Sequence, residues 1–411
     1  MGITVQKFGG TSVSDAGKRK HVLRHIVRES RAGRSLVVVV SAMGRKGEPY
    51  ATDTLLDLVR REEDGGIALP MREKDMLLSC GEIISAAVLA AALAGEGIPC
   101  ITLTGGQAGI VTNDDFGNAR ITQVKPDPII AHLGAGKVVI VAGFQGATPA
   151  GDITTLGRGG SDTTAAALGA AIGADTVDIF TDVDGVLTAD PRMVKDARQL
   201  AAVSYEEASN MAHNGAKVIH PRAVEIAMRA GVPIRVRSTF SESEGTLVTF
   251  AQAVRGRPEW SDRAVTGLAH FSGITQISVE SVDGAWDAQL RVFREMAMNG
   301  ISVDLINVMP SGVHYTVKDE DAPAAERLLR GLGYEPRIRP NCTKLSVIGG
   351  GMNDEPGVMA RIVEALTTRQ ITILQSADSN TTIWILVSGE ATAEALEALH
   401  ASFGLHLATH L

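Results

Sequence analysis

Val5-Gln6-Lys7-Phe8-Gly9-Gly10-Thr11-Ser12-Val13 compresses a strand end, a glycine turn and a helix start into one short stretch. Ile3 and Val5 alternate ahead of it as a strand should, and a helical segment is expected from about Ser14 to Glu29. Glycines after a strand let the backbone approach a ligand closely, and amides opening a helix favour an anion. Lys7 adds a full positive charge at the same spot. The stretch reads as a phosphate cradle. It is not a P-loop, because G-x-x-x-x-G-K-[ST] is absent, and it lacks the glycine spacing of a dinucleotide fold. Alone, a plain strand–turn–helix with a surface lysine would be the simpler reading. The rest of the chain decides against it.

Leu36-Val37-Val38-Val39-Val40, Cys100-Ile101-Thr102-Leu103 and Lys137-Val138-Val139-Ile140-Val141-Ala142 are runs of the kind found in strands buried on both faces. Helical segments alternate with them, which predicts an α/β fold with a largely parallel sheet. In such sheets ligands bind beyond the carboxyl ends of the strands, where Ser41-Ala42-Met43-Gly44 would lie. After a polar insertion at 45–51, Thr52 is expected to cap a helix. Glu82 is expected in the first turn of an alanine-rich helix, either as a helix-start charge or as an inward hydrogen-bonding group. The polar stretch from Thr112 to Arg120 is expected to form a small hairpin.

A second glycine turn, Gly157-Arg158-Gly159-Gly160-Ser161-Asp162, again precedes an alanine-rich helix, now with an arginine whose planar fork suits a carboxylate or phosphate. Thr181-Asp182-Val183-Asp184-Gly185-Val186 follows a strand as a turn, and Asp190-Pro191-Arg192 closes that loop. A helix is expected from Ala216 through Met228, and a strand at 232–236 to be the last of this unit. Beyond a polar connection the rhythm changes to βαββα, and the pattern recurs after about 70 residues.

The chain has 411 residues and a net charge of −8, so nothing global suggests nucleic acid, and cations for an anionic ligand must be local. Cys80, Cys100 and Cys342 are scattered, without C-x-x-C, which argues against a disulfide framework or a zinc site and for a reducing cytoplasm. No apolar signal segment opens the sequence, and the apolar run at 83–94 is too short to span a bilayer. A cytoplasmic protein is expected.

Together the three motifs, in this order, resemble the aspartate kinase family over essentially the whole chain, and in detail its diaminopimelate-sensitive type from spore-forming bacteria. The resemblance implies the amino-acid kinase fold over 1–245, a connection at 246–264, and two α+β ACT domains at 265–340 and 341–411. It implies transfer of the ATP γ-phosphoryl group, with Mg²⁺, to the β-carboxylate of aspartate. By that resemblance Lys7 and Asp162 are catalytic, and Lys7, Phe8, Gly9, Gly10, Thr181, Asp182, Asp190, Arg192 and Lys217 bind ATP. Ser41, Thr52, Glu82, Arg158, Gly159, Gly160 and Ser161 hold aspartate, with Arg158 on its carboxylate and Glu82 on its ammonium. Asp304 and Asn307 are candidates for holding an amino-acid effector (diaminopimelate, lysine or threonine), and a homodimer through the ACT domains is expected. The carboxylate acceptor is ionised at pH 7, so no general base is needed and His213 and His220 are left out of the chemistry. The rival from another class is a catalytically silent amino-acid sensor, which an eroded site would betray; Lys7, Glu82, Arg158 and Asp162 are all present.

Overall fold

A computed structural model describes residues 2–63, 68–216, 218–255, 263–280, 287–352 and 355–407. Lys217 lies outside the described residues. The chain divides into two units, the first formed by 1–186, 199–212 and 217–260, the second by 187–198, 213–216 and 261–411.

The strands of the first unit are β1 (Ile3–Phe8), β2 (Ser35–Val40), β3 (Cys100–Leu103), β4 (Ile110–Thr112), β5 (Ile121–Val124), β6 (Val138–Ala142), β7 (Gln145–Ala147), β8 (Ile153–Thr155), β9 (Thr176–Thr181), β10 (Ala202–Ser204), β11 (Ile234–Ser238) and β12 (Thr246–Thr249). Among the described residues, eight form one sheet in the order β10-β12-β11-β9-β1-β2-β6-β3, parallel except where β11 meets β12. The expected hairpin is present, as β4 and β5 within a second sheet of order β5-β4-β7-β8.

Strand alternation places the cradle. Phe8, Val38, Val40 and Ile140 point to the face covered by helices Ala16–Arg31 and Met71–Gly95, where they pack with Ile26, Leu89 and others. Val5 and Lys7 point to the opposite face. Helix Gly160–Ile172 lies there so closely that a Cβ on Gly169 would come within 2.4 Å of Val177. Lys7, at the carboxyl end of β1, therefore faces the opening turn of that helix.

Helix Met71–Gly95 differs from expectation. It starts well before the alanine-rich run, and at 25 residues, with a mean hydropathy of 2.0 over its best window, it is long and apolar enough to cross a membrane by length and composition. In this fold it packs on β3 and β6, with Ala86, Leu89 and Leu93 fully buried. Its early turns carry a buried carboxylate, Asp75, which accepts from Thr155 N at 2.7 Å, Thr155 Oγ1 at 2.7 Å and Gly117 N at 2.9 Å. Asp75→Ala would orphan two backbone donors, and we expect it to destabilise the first unit by roughly 3 kcal/mol, read as a lowered denaturation midpoint.

Two further boundaries shift. The helix expected from Ala216 begins at Pro221 instead, because proline fixes a first-turn conformation. The expected connection at 246–264 also starts later, since Thr246–Thr249 is a strand of the kinase sheet, bonded to β10 and β11.

The second unit holds β13 (Gly267–Glu280), β14 (Asp304–Met309), β15 (Gly312–Lys318), β16 (Arg337–Ile348), β17 (Gln375–Asp378) and β18 (Thr382–Ser388), in the antiparallel order β14-β15-β13-β16-β18-β17. Two hydrophobic cores back this sheet, one around Ile277, Tyr315 and Leu329, the other around Leu345, Ile362 and Leu399. The register runs across the expected boundary at 340/341. The first half of β13, Gly267 to Ser272, pairs with Thr343 to Ile348, while its second half pairs with β15. The first βαββα repeat is thus inserted between the opening strand of the second repeat and the rest of it. Residues 187–198 also belong here: Ala189 and Val194 are buried in the second core, Thr188 Oγ1 meets His400 Nε2 at 2.9 Å, and Leu268 N donates to Thr188 O at 2.7 Å.

Candidate active site

The candidate site is the carboxyl edge of the first sheet. Lys7 Nζ stands 2.6 Å from Asp162 Oδ1, with both side chains only 12% exposed. Asp162 is in the first turn of helix Gly160–Ile172, and its Oδ2 accepts from the backbone N of His220 at 3.2 Å. One carboxylate thus ties β1, the second glycine turn and the start of helix Pro221–Ala230 together.

Two glycines are demanded by this geometry. A Cβ on Gly10 would fall 2.6 Å from Ala42 O, so the loop after β2 is seated directly on the first glycine turn. Gly159 has a φ of +68°, and a Cβ there would fall 2.1 Å from the His220 ring. Around it, Thr163 Oγ1 donates to Gly159 O at 3.0 Å and Thr164 Oγ1 to Gly160 O at 2.9 Å, fixing the helix entry. Ser161 is buried beside this turn and Arg158 is exposed on it.

Glu82 is not in a first turn, because its helix starts at Met71. It sits mid-helix and only 2% exposed. Its Oε1 accepts from Ala42 N at 3.0 Å, while Oε2 is buried without a hydrogen-bond partner. Burial pushes the carboxyl up to about 8. A helix-start role is excluded; a buried carboxylate oxygen with no donor is a place for a ligand's cation. Ser41 follows β2 at the same edge, its N donating to Phe8 O at 3.1 Å. Thr52 is the first helical residue rather than the cap, since Ala51 O accepts the opening bond from Leu55 N.

On the other side of β1, Gly9 N donates to Phe180 O at 3.3 Å and Thr181 Oγ1 to Asp182 Oδ1 at 3.2 Å. Phe8 departs from expectation: its ring is fully buried and stacked on Phe180 at 4.6 Å, so only its backbone stands at the edge. Asp190 and Arg192 fall in the second unit. Arg192 Nη2 donates to Asp190 Oδ2 at 2.6 Å, holding that carboxyl below its ordinary range. Also in the second unit, Asp304 is paired with the Lys344 ammonium, and Asn307 is exposed on β14.

Sequence reasoning missed Arg45. It lies in the insertion at 45–51, yet its Nη2 reaches Asp182 Oδ2 at 2.7 Å and its Nε donates to Thr11 Oγ1 at 3.2 Å. Its position right after the small-residue loop that follows β2 was the available signal.

Residues 2–238 match the amino acid kinase family, and residues 337–401 match an ACT domain. Aspartokinase 1 of Bacillus subtilis (strain 168) is 51% identical over 405 residues, covering 98% of this chain and 100% of that protein. This chain belongs to the aspartokinase family. E. coli aspartokinase III in complex with aspartate and ADP (R-state) has a TM-score of 0.78 at 26% identity, covering 97% of this chain and 99% of that one. The same aspartokinase in complex with lysine and aspartate (T-state) has a TM-score of 0.76 at 26% identity, over 98% and 99% of the two chains. The expected architecture, an amino-acid kinase fold followed by α+β ACT modules, is the one aspartokinases share.

Proposed function

We propose that this chain transfers the γ-phosphoryl group of ATP to the β-carboxylate of L-aspartate, giving 4-phospho-L-aspartate and ADP. This is the first step toward lysine, diaminopimelate, threonine and methionine. The observation that carries the reading is the buried Lys7–Asp162 pair at the junction of two glycine turns, with Glu82 buried on the same sheet edge. E. coli aspartokinase III, solved in complex with aspartate and ADP, supports the substrate pair.

Phosphoryl transfer to an ionised carboxylate asks the protein for positioning and charge neutralisation rather than proton transfer. Lys7 and the Gly9-Gly10 turn hold phosphate oxygens, with Thr181 and Asp182 on the nucleotide side and Asp190, Arg192 and Lys217 as further nucleotide contacts. Glu82 takes the aspartate ammonium on its free Oε2, and Arg158 takes the α-carboxylate in a fork. Ser41, Thr52, Gly159, Gly160 and Ser161 shape the pocket between them. Mg²⁺ fits as a partner of the triphosphate, because this ion is usually held by one or two carboxylates plus substrate phosphates. Among the described residues no cluster of three or more ligating side chains exists, and Asp162 at the glycine turn offers one carboxylate. Bound there, the ion would neutralise phosphate charge.

The ACT modules suit feedback control by an amino acid (diaminopimelate, lysine or threonine), which requires different affinity for two states of the chain. A relative solved with lysine supports that class of effector. Asp304 and Asn307 remain our candidates for the effector, with Lys344 as the cation it must displace from Asp304. A homodimer suits the edge strand β14, where Ile306 is 48% and Val308 50% exposed. Three free cysteines suit a reducing cytoplasm.

The test is aspartate-dependent ADP formation with hydroxylamine trapping the acyl phosphate, with and without lysine, threonine and meso-diaminopimelate. We expect hydroxamate that requires both substrates and is suppressed by one of the three. No hydroxamate from folded protein would overturn the substrate assignment. The full chain must be used, because cutting before 265 would strip Ala189 and Val194 of their core.

A further inference from the structure

We propose that Arg45 is a cation that grips the transferred phosphoryl group, exchanging its contact with Asp182 for the γ-phosphoryl when MgATP enters. The inference rests on the kinase reading above and adds a residue to it. Three observations carry it.

The first is where the loop is pinned. Gly44 N donates to Gly10 O at 3.1 Å, and Gly10 has no room for a Cβ against Ala42 O and Gly44 O. Glu48 N donates to Arg45 O at 2.9 Å, closing a turn around Arg45, and Gly47 N donates to Thr54 Oγ1 at 3.1 Å. The backbone of Arg45 is therefore fixed directly beside the phosphate turn.

The second is where the side chain goes. Its Nε is hung on Thr11 Oγ1, next to Gly9-Gly10, and its Nη2 reaches across to Asp182 after β9. The guanidinium bridges the loops on either side of the β1 turn, the gap a triphosphate must cross.

The third is charge. Lys7 is already matched by the buried Asp162. In the kinase reading Arg158 goes to the aspartate carboxylate. The Arg45–Asp182 pair, by contrast, is exposed, with side chains 72% and 42% accessible. Such pairs contribute little, about 0–1 kcal/mol, so a phosphate offering a bidentate, charge-assisted contact displaces the carboxylate easily. Asp182 is then freed for the nucleotide side of the site at little cost.

In the step itself, an aspartate β-carboxylate oxygen bonds to the γ-phosphorus. The bond from that phosphorus to the β,γ-bridging oxygen breaks, and its electron pair stays on ADP. No proton moves. Arg45 holds the equatorial oxygens, where charge spreads in the transition state.

The test uses the full chain with MgATP and aspartate in the hydroxamate assay, first establishing that wild type makes product. Absence of product there would fault the kinase reading, not Arg45. Arg45→Ala should keep the wild-type thermal midpoint, lose about 100-fold in kcat, leave KM for aspartate within threefold, and regain rate on adding free guanidinium. Arg45→Lys keeps the charge without the fork and should lose about tenfold in kcat; it carries the test if the alanine variant does not fold. Wild-type kcat in both variants, or a loss confined to KM for aspartate, overturns the proposal.

Discussion

Replacing Lys7 with methionine is expected to lower kcat by about 1,000-fold and to lower the denaturation midpoint as well. The reason is the pair it belongs to. Lys7 Nζ and Asp162 Oδ1 are 2.6 Å apart with both side chains almost fully buried. Removing the ammonium takes a cation from the phosphates and leaves an uncompensated buried carboxylate pointing at them. Breaking such a pair typically costs about 3–5 kcal/mol of stability. Asp162→Asn in the Lys7→Met background removes the stranded charge, so the double variant should recover most of the stability and little of the activity. Thermal denaturation and hydroxamate kinetics on the four proteins of the cycle check this. If the double variant regained both together, Lys7 would be a structural residue and the cradle reading would fall.

The second large effect belongs to Glu82. With its carboxyl raised from 4.5 to about 8 by burial, the folded chain keeps a proton that the unfolded chain has released. The sign follows. This group's contribution to stability is complete below about pH 4.5, declines as pH rises toward 8, and levels off above that. The full cost of ionising it in the empty site is on the order of 5 kcal/mol. An ammonium arriving at the free Oε2 favours the ionised form. Aspartate binding near pH 7 should therefore release a proton, visible in calorimetry as a heat that depends on the buffer's ionisation enthalpy. Glu82→Gln should raise KM for aspartate about 100-fold, abolish the proton release, and gain stability relative to wild type between pH 5 and 9. Proton release unchanged in the glutamine variant would place the titrating group elsewhere.

Legibility from sequence followed how local each feature is. Lys7, Gly9 and Gly10 sit on one strand and its turn, so pattern alone placed them at a sheet edge. The partnership of Lys7 with Asp162 needed only the strand's alternation and the face that helix Gly160–Ile172 covers, once the fold was known. Glu82 was read in the wrong turn because Arg72, Glu73, Lys74 and Asp75 interrupt the apolar pattern that marks a helix, although Asp75 in fact turns inward to Thr155. Arg45 was hidden because its partners, Thr11 and Asp182, are far away in sequence. The placement of 187–198 in the second unit rests on small residues such as Ala189, whose burial no local pattern announces. The short strands β7, β8, β10 and β12 escaped because three or four residues carry too little periodicity to read.

The shared strand β13 has a consequence for how the chain is made. Its first half finds its sheet partner only in the stretch from Thr343 to Ile348, while its second half, which also pairs with Arg337 to Cys342, gains a first partner earlier in β15. As the polypeptide leaves the ribosome, Leu268 N can already meet Thr188 O, but the backbone groups of Gly267 to Ser272 that face β16 emerge open. They must wait for a whole βαββα unit to be synthesised and folded before β16 arrives. An unpaired apolar edge in a nascent chain is a template for wrong pairing. Slower elongation after residue 348 would do nothing to help, whereas chaperone protection between 267 and 348 would, and the yield of soluble protein should depend on it.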